Sequence, residues 1–228
     1  MLVKCHFSYI FNKMIIFLYI IIFFLTIIFN YSILNENTNG LMEEISQYYF
    51  MNTFPFVAFM GNFLAIFLFS FPFLSRQSQY KVLLITSGIK KEIVFSTKIF
   101  TVIICCFLYI IVQIVSFYLP IYIFKVSYVN LDVLYSFLDL FIAMMFFGNI
   151  TLLFVIIYDN FYLSLIPLTI LILTNNINMS EDSKLTKIFT NFLITFNHEQ
   201  RLTVSYGKAL FILALLLVLV IFIDSLKE

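Results

Sequence analysis

The amino-acid sequence predicts an all-α integral membrane protein with six transmembrane helices. Hydrophobic residues make up 63% of the 228 residues and charged residues only 11%, which is far from the composition of a soluble domain. The apolar residues fall into long runs, and most of the charges lie between these runs. Because lipid offers no hydrogen-bond partner to a bare peptide group, runs of this kind must be helical.

Six segments are apolar enough to cross a bilayer core, which needs about 20 residues of helix and fewer where the bilayer thins. The last two segments are short. No internal repeat and no Pro-rich linker divides the chain, so we expect residues 1–228 to form a single transmembrane domain. The predicted spans are approximately residues 14–34, 50–74, 99–124, 131–157, 161–174 and 209–223.

The first apolar segment has a second possible interpretation as a cleaved signal peptide. Its run of about 20 residues is longer than the apolar region of a signal peptide. Residues 30–35, which follow it, contain no small-x-small cleavage site. We therefore expect this segment to remain as a membrane helix.

The distribution of Lys and Arg residues predicts the orientation of the chain. With both termini in the cytoplasm, Lys4, Lys13, Lys227 and the basic segment 75–98 all lie on the cytoplasmic side, as the positive-inside rule requires. Residues 35–49, which would form the first outer loop, contain three Glu residues and no cation. The sequence therefore predicts a multi-pass protein of the cell membrane with both termini cytoplasmic.

Segment 75–98 joins the second and third predicted spans and carries a dense group of cations. Within it, Tyr80, Leu83 and Leu84 recur at helical spacing, so we predict a short amphipathic helix over residues 78–86 along the inner surface. A positive-inside anchor without a partner would have the same composition. The residues alone leave both interpretations open.

The order of these parts resembles the membrane subunit of an ABC-2-type ABC transporter, and in particular the small permeases of peptide or bacteriocin export and immunity systems. Members of that family have six spans, a coupling helix with a basic turn between spans two and three, and an extracellular helical segment between spans five and six. The residues that carry the resemblance in the coupling segment are Leu83, Leu84, Ser87, Lys90, Lys91, Glu92 and Lys98.

The resemblance implies a permease subunit of an ATP-driven transporter that exports an amphipathic peptide or a lipid-like substrate. The sequence contains no Gly-x-x-x-x-Gly-Lys-Ser/Thr motif, so we expect no cofactor on this chain, with ATP and Mg bound and hydrolysed on a separate ABC ATPase subunit. The resemblance places the contacts to that ATPase at Arg76, Tyr80, Lys81, Leu83, Leu84, Lys90 and Lys91.

The resemblance also implies the other partners. Six spans are half of a transport unit in this family, so we expect a homodimer or a heterodimer with a similar permease, within the lipid bilayer. We expect no nucleic-acid partner, because the charges are sparse and segregated by loop.

Residues 185–196, between the last two predicted spans, carry an apolar stripe at helical spacing. A helix of about 12 residues cannot cross the membrane, so we predict an amphipathic extracellular helix that lies flat at the outer interface or caps the bundle. Burial of the stripe against the bundle and direct contact with substrate are both open.

Few polar side chains fall within the predicted spans. Asp139 is a candidate for the translocation path, because desolvating an intramembrane acid is expensive, although it could instead reach the wet outer surface. Gln113 and Asn62 are further candidates, for which contacts between helices are the alternative. Near the fourth span, Asp159 and Asn160 predict a tight inner turn.

Three other classes of membrane protein are alternatives to a permease. An intramembrane metalloenzyme is disfavoured, because neither His residue lies at membrane depth. A transporter or channel driven by an ion gradient would favour several buried charges and an inverted repeat, whereas this sequence has one or two acids within the spans and no repeat. A non-transporting membrane scaffold fits the same composition and remains open.

Overall fold

The computed structural model describes residues 13–36, 42–74, 91–123 and 131–167, together with positions 169, 214 and 218. All regular structure in these residues is helical, which confirms the all-α prediction for this part of the chain. The helices are α1 (Lys13–Glu36), α2 (Met42–Ser70), a 3-10 turn (Phe71–Phe73), α3 (Lys91–Ile123), α4 (Leu131–Tyr158) and the short α5 (Phe161–Ser164).

Four of these helices are long and apolar enough to cross a membrane. The candidate spans coincide with the first four that the sequence predicts and indicate a multi-pass membrane protein. The structure describes residues 161–167 and 169 of predicted span five and only positions 214 and 218 of predicted span six. The predicted coupling helix and the predicted extracellular helix lie outside the described residues. The four candidate spans are Ile16–Asn35, Asn52–Phe73, Ile93–Ile123 and Val133–Tyr158.

Two helices begin earlier than the sequence predicts. Helix α2 starts at Met42 and α3 starts at Lys91, each about two turns before the apolar run that marked the predicted span. Hydropathy locates only the part of a helix that matches the hydrocarbon core, and says nothing of polar turns that extend beyond it. As a result Lys98, predicted as a cation of the loop, lies inside α3 and is only 7% exposed.

The chain divides into two compact units. Unit 1 comprises Met1–Gly61 and Lys90–Phe141, and unit 2 comprises Asn62–Ile89 and Ile142–Glu228. Helices α2 and α4 each contribute one part to either unit.

Unit 1 is held together by tyrosine hydroxyls that donate to main-chain carbonyls of neighbouring helices. Tyr19 Oη donates to Cys105 O at 2.8 Å, and Tyr109 Oη donates to Val57 O at 3.1 Å. Tyr49 Oη donates to the carbonyl of Phe117 at 2.8 Å. All three tyrosines are buried, so each hydroxyl needs a partner within the protein.

Unit 2 contains a close approach between α2 and α4. A Cβ at position 148 would overlap the ring of Phe69, so glycine is the residue that lets these segments pack. Beyond α4 the chain turns at Asp159, where φ is +48°, and Asn160 then caps α5 by accepting from the Tyr162 N–H at 2.9 Å. The tight turn predicted at residues 159–160 is therefore confirmed.

Candidate functional site

Unit 1 buries several polar side chains at membrane depth. They come from all four long helices, each otherwise strongly apolar. Desolvating polar groups inside a membrane is costly, so such residues are candidates for function. The register between the helices decides whether these polar residues lie close to one another. Lys98 and Thr101 lie towards the N-terminal end of α3, and the other buried polar residues of unit 1 are Thr26, Asn30, Thr53, Gln113, Ser116 and Asp139.

Helices α1 and α3 run parallel with one register. The bonds from Tyr19 to Cys105 and from Asn30 to Ser116 both join residues 86 apart. The same offset therefore holds over three turns of helix, and the two helices pack against each other. On this register, Thr26 lies at the level of position 112, beside Gln113.

Helices α2 and α3 run antiparallel. The Tyr49 hydroxyl donates to the Phe117 carbonyl, and the Tyr109 hydroxyl donates to the Val57 carbonyl. Val57 comes eight residues after Tyr49 on α2, whereas Tyr109 comes eight residues before Phe117 on α3. Thr53 comes four residues after Tyr49 and Gln113 comes four residues before Phe117, so Thr53 and Gln113 lie at the same level.

Helix α4 completes the arrangement by running antiparallel to α3. The Phe107 and Phe141 rings lie 6.1 Å apart, and those of Phe117 and Phe137 lie 5.8 Å apart. Asp139 falls between the two residues of α4 that make these contacts. Its level on α3 is thus between positions 107 and 117, which is also where Gln113 lies.

Five of these residues lie at the levels of positions 112–116 of α3, and Asp139 lies within the wider window of positions 107–117; we call the six residues the polar layer. With a rise of about 1.5 Å per residue, the levels of the five residues on α1, α2 and α3 span roughly 6 Å along the bundle axis. This layer lies nearer to the C-terminal ends of α1 and α3 than to their N-terminal ends. In the predicted orientation it is in the outer half of the membrane.

The centre of the polar layer is a hydrogen-bonded group of three residues. Asn30 Nδ2 donates to the Ser116 carbonyl at 3.3 Å. Ser116 Oγ lies 2.9 Å from the main-chain oxygen of Gln113 and 3.0 Å from its Oε1, and these two acceptors share its single hydroxyl proton. This group ties α1 to α3 through polar contacts.

Pro120 explains why the Ser116 carbonyl can accept a side chain. In an α-helix that carbonyl would accept from the N–H four residues later, and proline has none. Pro120 lies inside α3, so it removes this bond and leaves the oxygen to Asn30. The proline therefore creates the acceptor from which the polar group is built.

The two threonines of the layer contribute differently. Thr26 Oγ1 donates to Ile22 O at 2.7 Å, and Thr53 Oγ1 donates to Tyr49 O at 2.8 Å. Both donors are thus used within their own helices. Their oxygen lone pairs still add polarity to the layer.

Asp139 is the acid of the polar layer. Its side chain is buried within unit 1, where the residue is only 8% exposed. Its part in a translocation path stays a prediction. Burial of an acid within a candidate span is costly, as is the burial of Lys98 in the same unit.

The other predicted site residues lie elsewhere. Asn62 is buried in unit 2, and its Oδ1 has no hydrogen-bond partner among the described residues. Lys91 is the first residue of α3. The remaining predicted ATPase contacts, Arg76, Tyr80, Lys81, Leu83, Leu84 and Lys90, lie outside the described residues.

Sequence reasoning missed Asn30 and Ser116 as site residues. Asn30 lies near the end of an apolar run, where a polar residue usually marks the boundary of a span. The available signal was the spacing of Gln113, Ser116 and Pro120, which places two polar groups one turn apart, ahead of a helix-internal proline.

Among the described residues no group of three or more His, Cys, Asp or Glu side chains could hold a metal ion. Comparison of the chain with protein-family models, with curated proteins and with solved structures finds no match. The polar layer and the sequence of segment 75–98 are therefore the features from which a function can be argued.

Proposed function

We propose that the chain is the membrane-spanning permease subunit of an ATP-driven ABC transporter, and that it exports an amphipathic peptide or a lipid-like substrate. The observation that carries the transport function is the polar layer. Its amides, hydroxyls and acid are buried at membrane depth in a bundle of otherwise apolar helices. Intramembrane polar groups of this kind usually mark a substrate path.

The energy source is proposed from the sequence. The chain has no phosphate-binding loop motif, so an ATPase subunit with bound ATP and Mg would have to supply it. Segment 75–98, with its cations and its resemblance to a coupling helix, is the proposed docking point. Tyr80, Leu83 and Leu84 would be the apolar contacts to the ATPase, with Arg76, Lys81, Lys90 and Lys91 as the polar ones.

The proposed assembly is two permease chains and two ATPase subunits. The second permease is another copy of this chain or a similar chain. The apolar side chains exposed on α1, among them Phe17, Phe24 and Ile28, would face lipid or the second permease.

Capture of an ATPase tests the docking point. The double variant Leu83→Asp, Leu84→Asp should insert into the membrane and lose an ABC ATPase that co-purifies with the wild-type chain. Leu226→Asp is the matched control, because it adds acid on the same predicted side outside segment 75–98. Capture of the ATPase by the double variant at the wild-type level would overturn the assignment.

The buried acid favours a second candidate, a transporter or channel driven by an ion gradient. Asp139 is the kind of residue that binds a proton or a cation in such proteins. The two candidates differ in energy source. Transport in sealed vesicles that follows an imposed proton gradient without ATP would favour this candidate over the first.

A further inference from the structure

Two amides of the polar layer each keep one hydrogen-bonding atom without a partner among the described residues. These atoms are Asn30 Oδ1, an acceptor, and Gln113 Nε2, a donor. Both side chains are fully buried. Buried amide atoms in native proteins almost always have a partner, so this pair calls for an explanation.

Both amides are held by the same residue. The other atom of the Asn30 amide donates to the Ser116 carbonyl, and the other atom of the Gln113 amide accepts from the Ser116 hydroxyl. The free acceptor and the free donor therefore belong to two amides whose opposite ends are fixed at one point of α3. Locked amides of this kind are preorganised to bind a ligand.

We propose that Asn30 and Gln113 form a binding site for a secondary amide at membrane depth. Gln113 Nε2 donates to the carbonyl oxygen of the ligand, and the N–H of the ligand donates to Asn30 Oδ1. A secondary amide has one acceptor and one donor on separate atoms, which matches the two free atoms. It is also neutral, so it enters the bilayer at far lower cost than an ion.

The inference rests on the proposed function in taking the polar layer as part of the transport path, and it names the chemistry of the substrate there. Two kinds of substrate carry a secondary amide into a membrane. One is a peptide main chain, and the other is a lipid with an amide-linked acyl chain. The experiment below separates the two.

Binding can be measured on the purified full-length chain in phosphatidylcholine nanodiscs. The chain contains no Trp, so a single Trp in the probe reports binding without background from the protein. The probe is an acetylated, amidated hydrophobic tripeptide with one Trp. Its analogues replace one main-chain N–H at a time with an ester oxygen, which removes the donor and places a second acceptor against Asn30.

The proposal predicts that one of these ester replacements weakens binding to the wild-type chain by about tenfold, the value of one buried hydrogen bond. In Asn30→Leu this difference between amide and ester should vanish. Gln113→Met removes the donor with little change in side-chain length, and it should weaken binding of the amide probe by about tenfold. It serves as the second variant if Asn30→Leu does not insert stably into the membrane. Asn149→Leu, at a buried amide of unit 2 that also has an unpartnered oxygen, is the matched control and should leave the difference intact.

A ceramide and a diacylglycerol, tested as competitors, identify the source of the amide. Displacement of the probe by ceramide and not by diacylglycerol assigns the site to an amide-linked lipid, and displacement by neither assigns it to a peptide. Equal binding of the amide and all ester probes, or no binding of any amide, overturns the proposal. No ATPase is present in this assay, so failure here is distinct from failure of the ATPase capture.

Discussion

The tyrosines of unit 1 show how single hydroxyls can fix the register of apolar helices. Tyr19, Tyr49 and Tyr109 each donate to a main-chain carbonyl on another helix. Leucine and phenylalanine surfaces slide past one another at little cost, whereas a buried hydroxyl is satisfied in one position only. These three bonds therefore set the levels at which the polar residues of the layer meet.

Removal of one of these hydroxyls should weaken the bundle. We expect Tyr109→Phe to lower the free energy of unfolding by about 1 kcal/mol, because it leaves the ring in place and removes one buried hydrogen bond. The matched control is Tyr122→Phe, at a side chain that is 83% exposed, which should change nothing. Unfolding of the purified chain in detergent measures both. Equal stability of the two variants would show that the Tyr109 bond does not contribute.

The Gln113 amide is expected to serve function and not stability. Its Nε2 has no partner among the described residues, and Ser116 keeps the main-chain carbonyl of position 113 as an acceptor if the amide is removed. Gln113→Leu should therefore leave the free energy of unfolding within about 1 kcal/mol of wild type, or raise it. Unfolding in detergent measures this change. A loss of about 2 kcal/mol or more would identify Gln113 as a structural residue.

At the scale of helices, the sequence predicts well where membrane helices occur and predicts poorly how these helices contact one another. The apolar runs located the first four spans, because burial in hydrocarbon depends on composition alone. Helices α2 and α3 begin about two turns before the predicted spans, since hydropathy does not detect polar turns at the end of a helix. Gln113 and Asp139 were recognised as candidates one at a time. Their common level with Asn30 depends on the registers between helices, which no property of a single span encodes.

The contact between α2 and α4 in unit 2 gives a prediction at this scale. Gly148→Ala should destabilise the protein by about 1–3 kcal/mol, because the new methyl group would overlap the Phe69 ring. Phe69→Leu in the same chain removes the overlapping atoms and should restore part of the loss. Thermal unfolding of the single and double variants in detergent measures this coupling. Additive effects of the two substitutions would contradict the close contact.

At the scale of the whole molecule, four apolar helices indicate a multi-pass membrane protein. The polar layer gives unit 1 buried amides, hydroxyls and an acid within these helices. The proposed role as an ATP-driven permease adds an orientation, with segment 75–98 in the cytoplasm. That orientation follows from the distribution of Lys and Arg residues, a property of the whole sequence. Docking of a cytoplasmic ATPase requires it.

Labelling of a single cysteine tests this orientation most directly. In a chain with Cys5, Cys105 and Cys106 replaced by Ala, Lys90→Cys is treated with a membrane-impermeant maleimide in intact cells and after permeabilisation. Thr38→Cys, in the predicted first outer loop, is the control and should be labelled in intact cells. Position 90 should be labelled only after permeabilisation, and its labelling in intact cells would place segment 75–98 outside the cytoplasm and rule out the proposed docking.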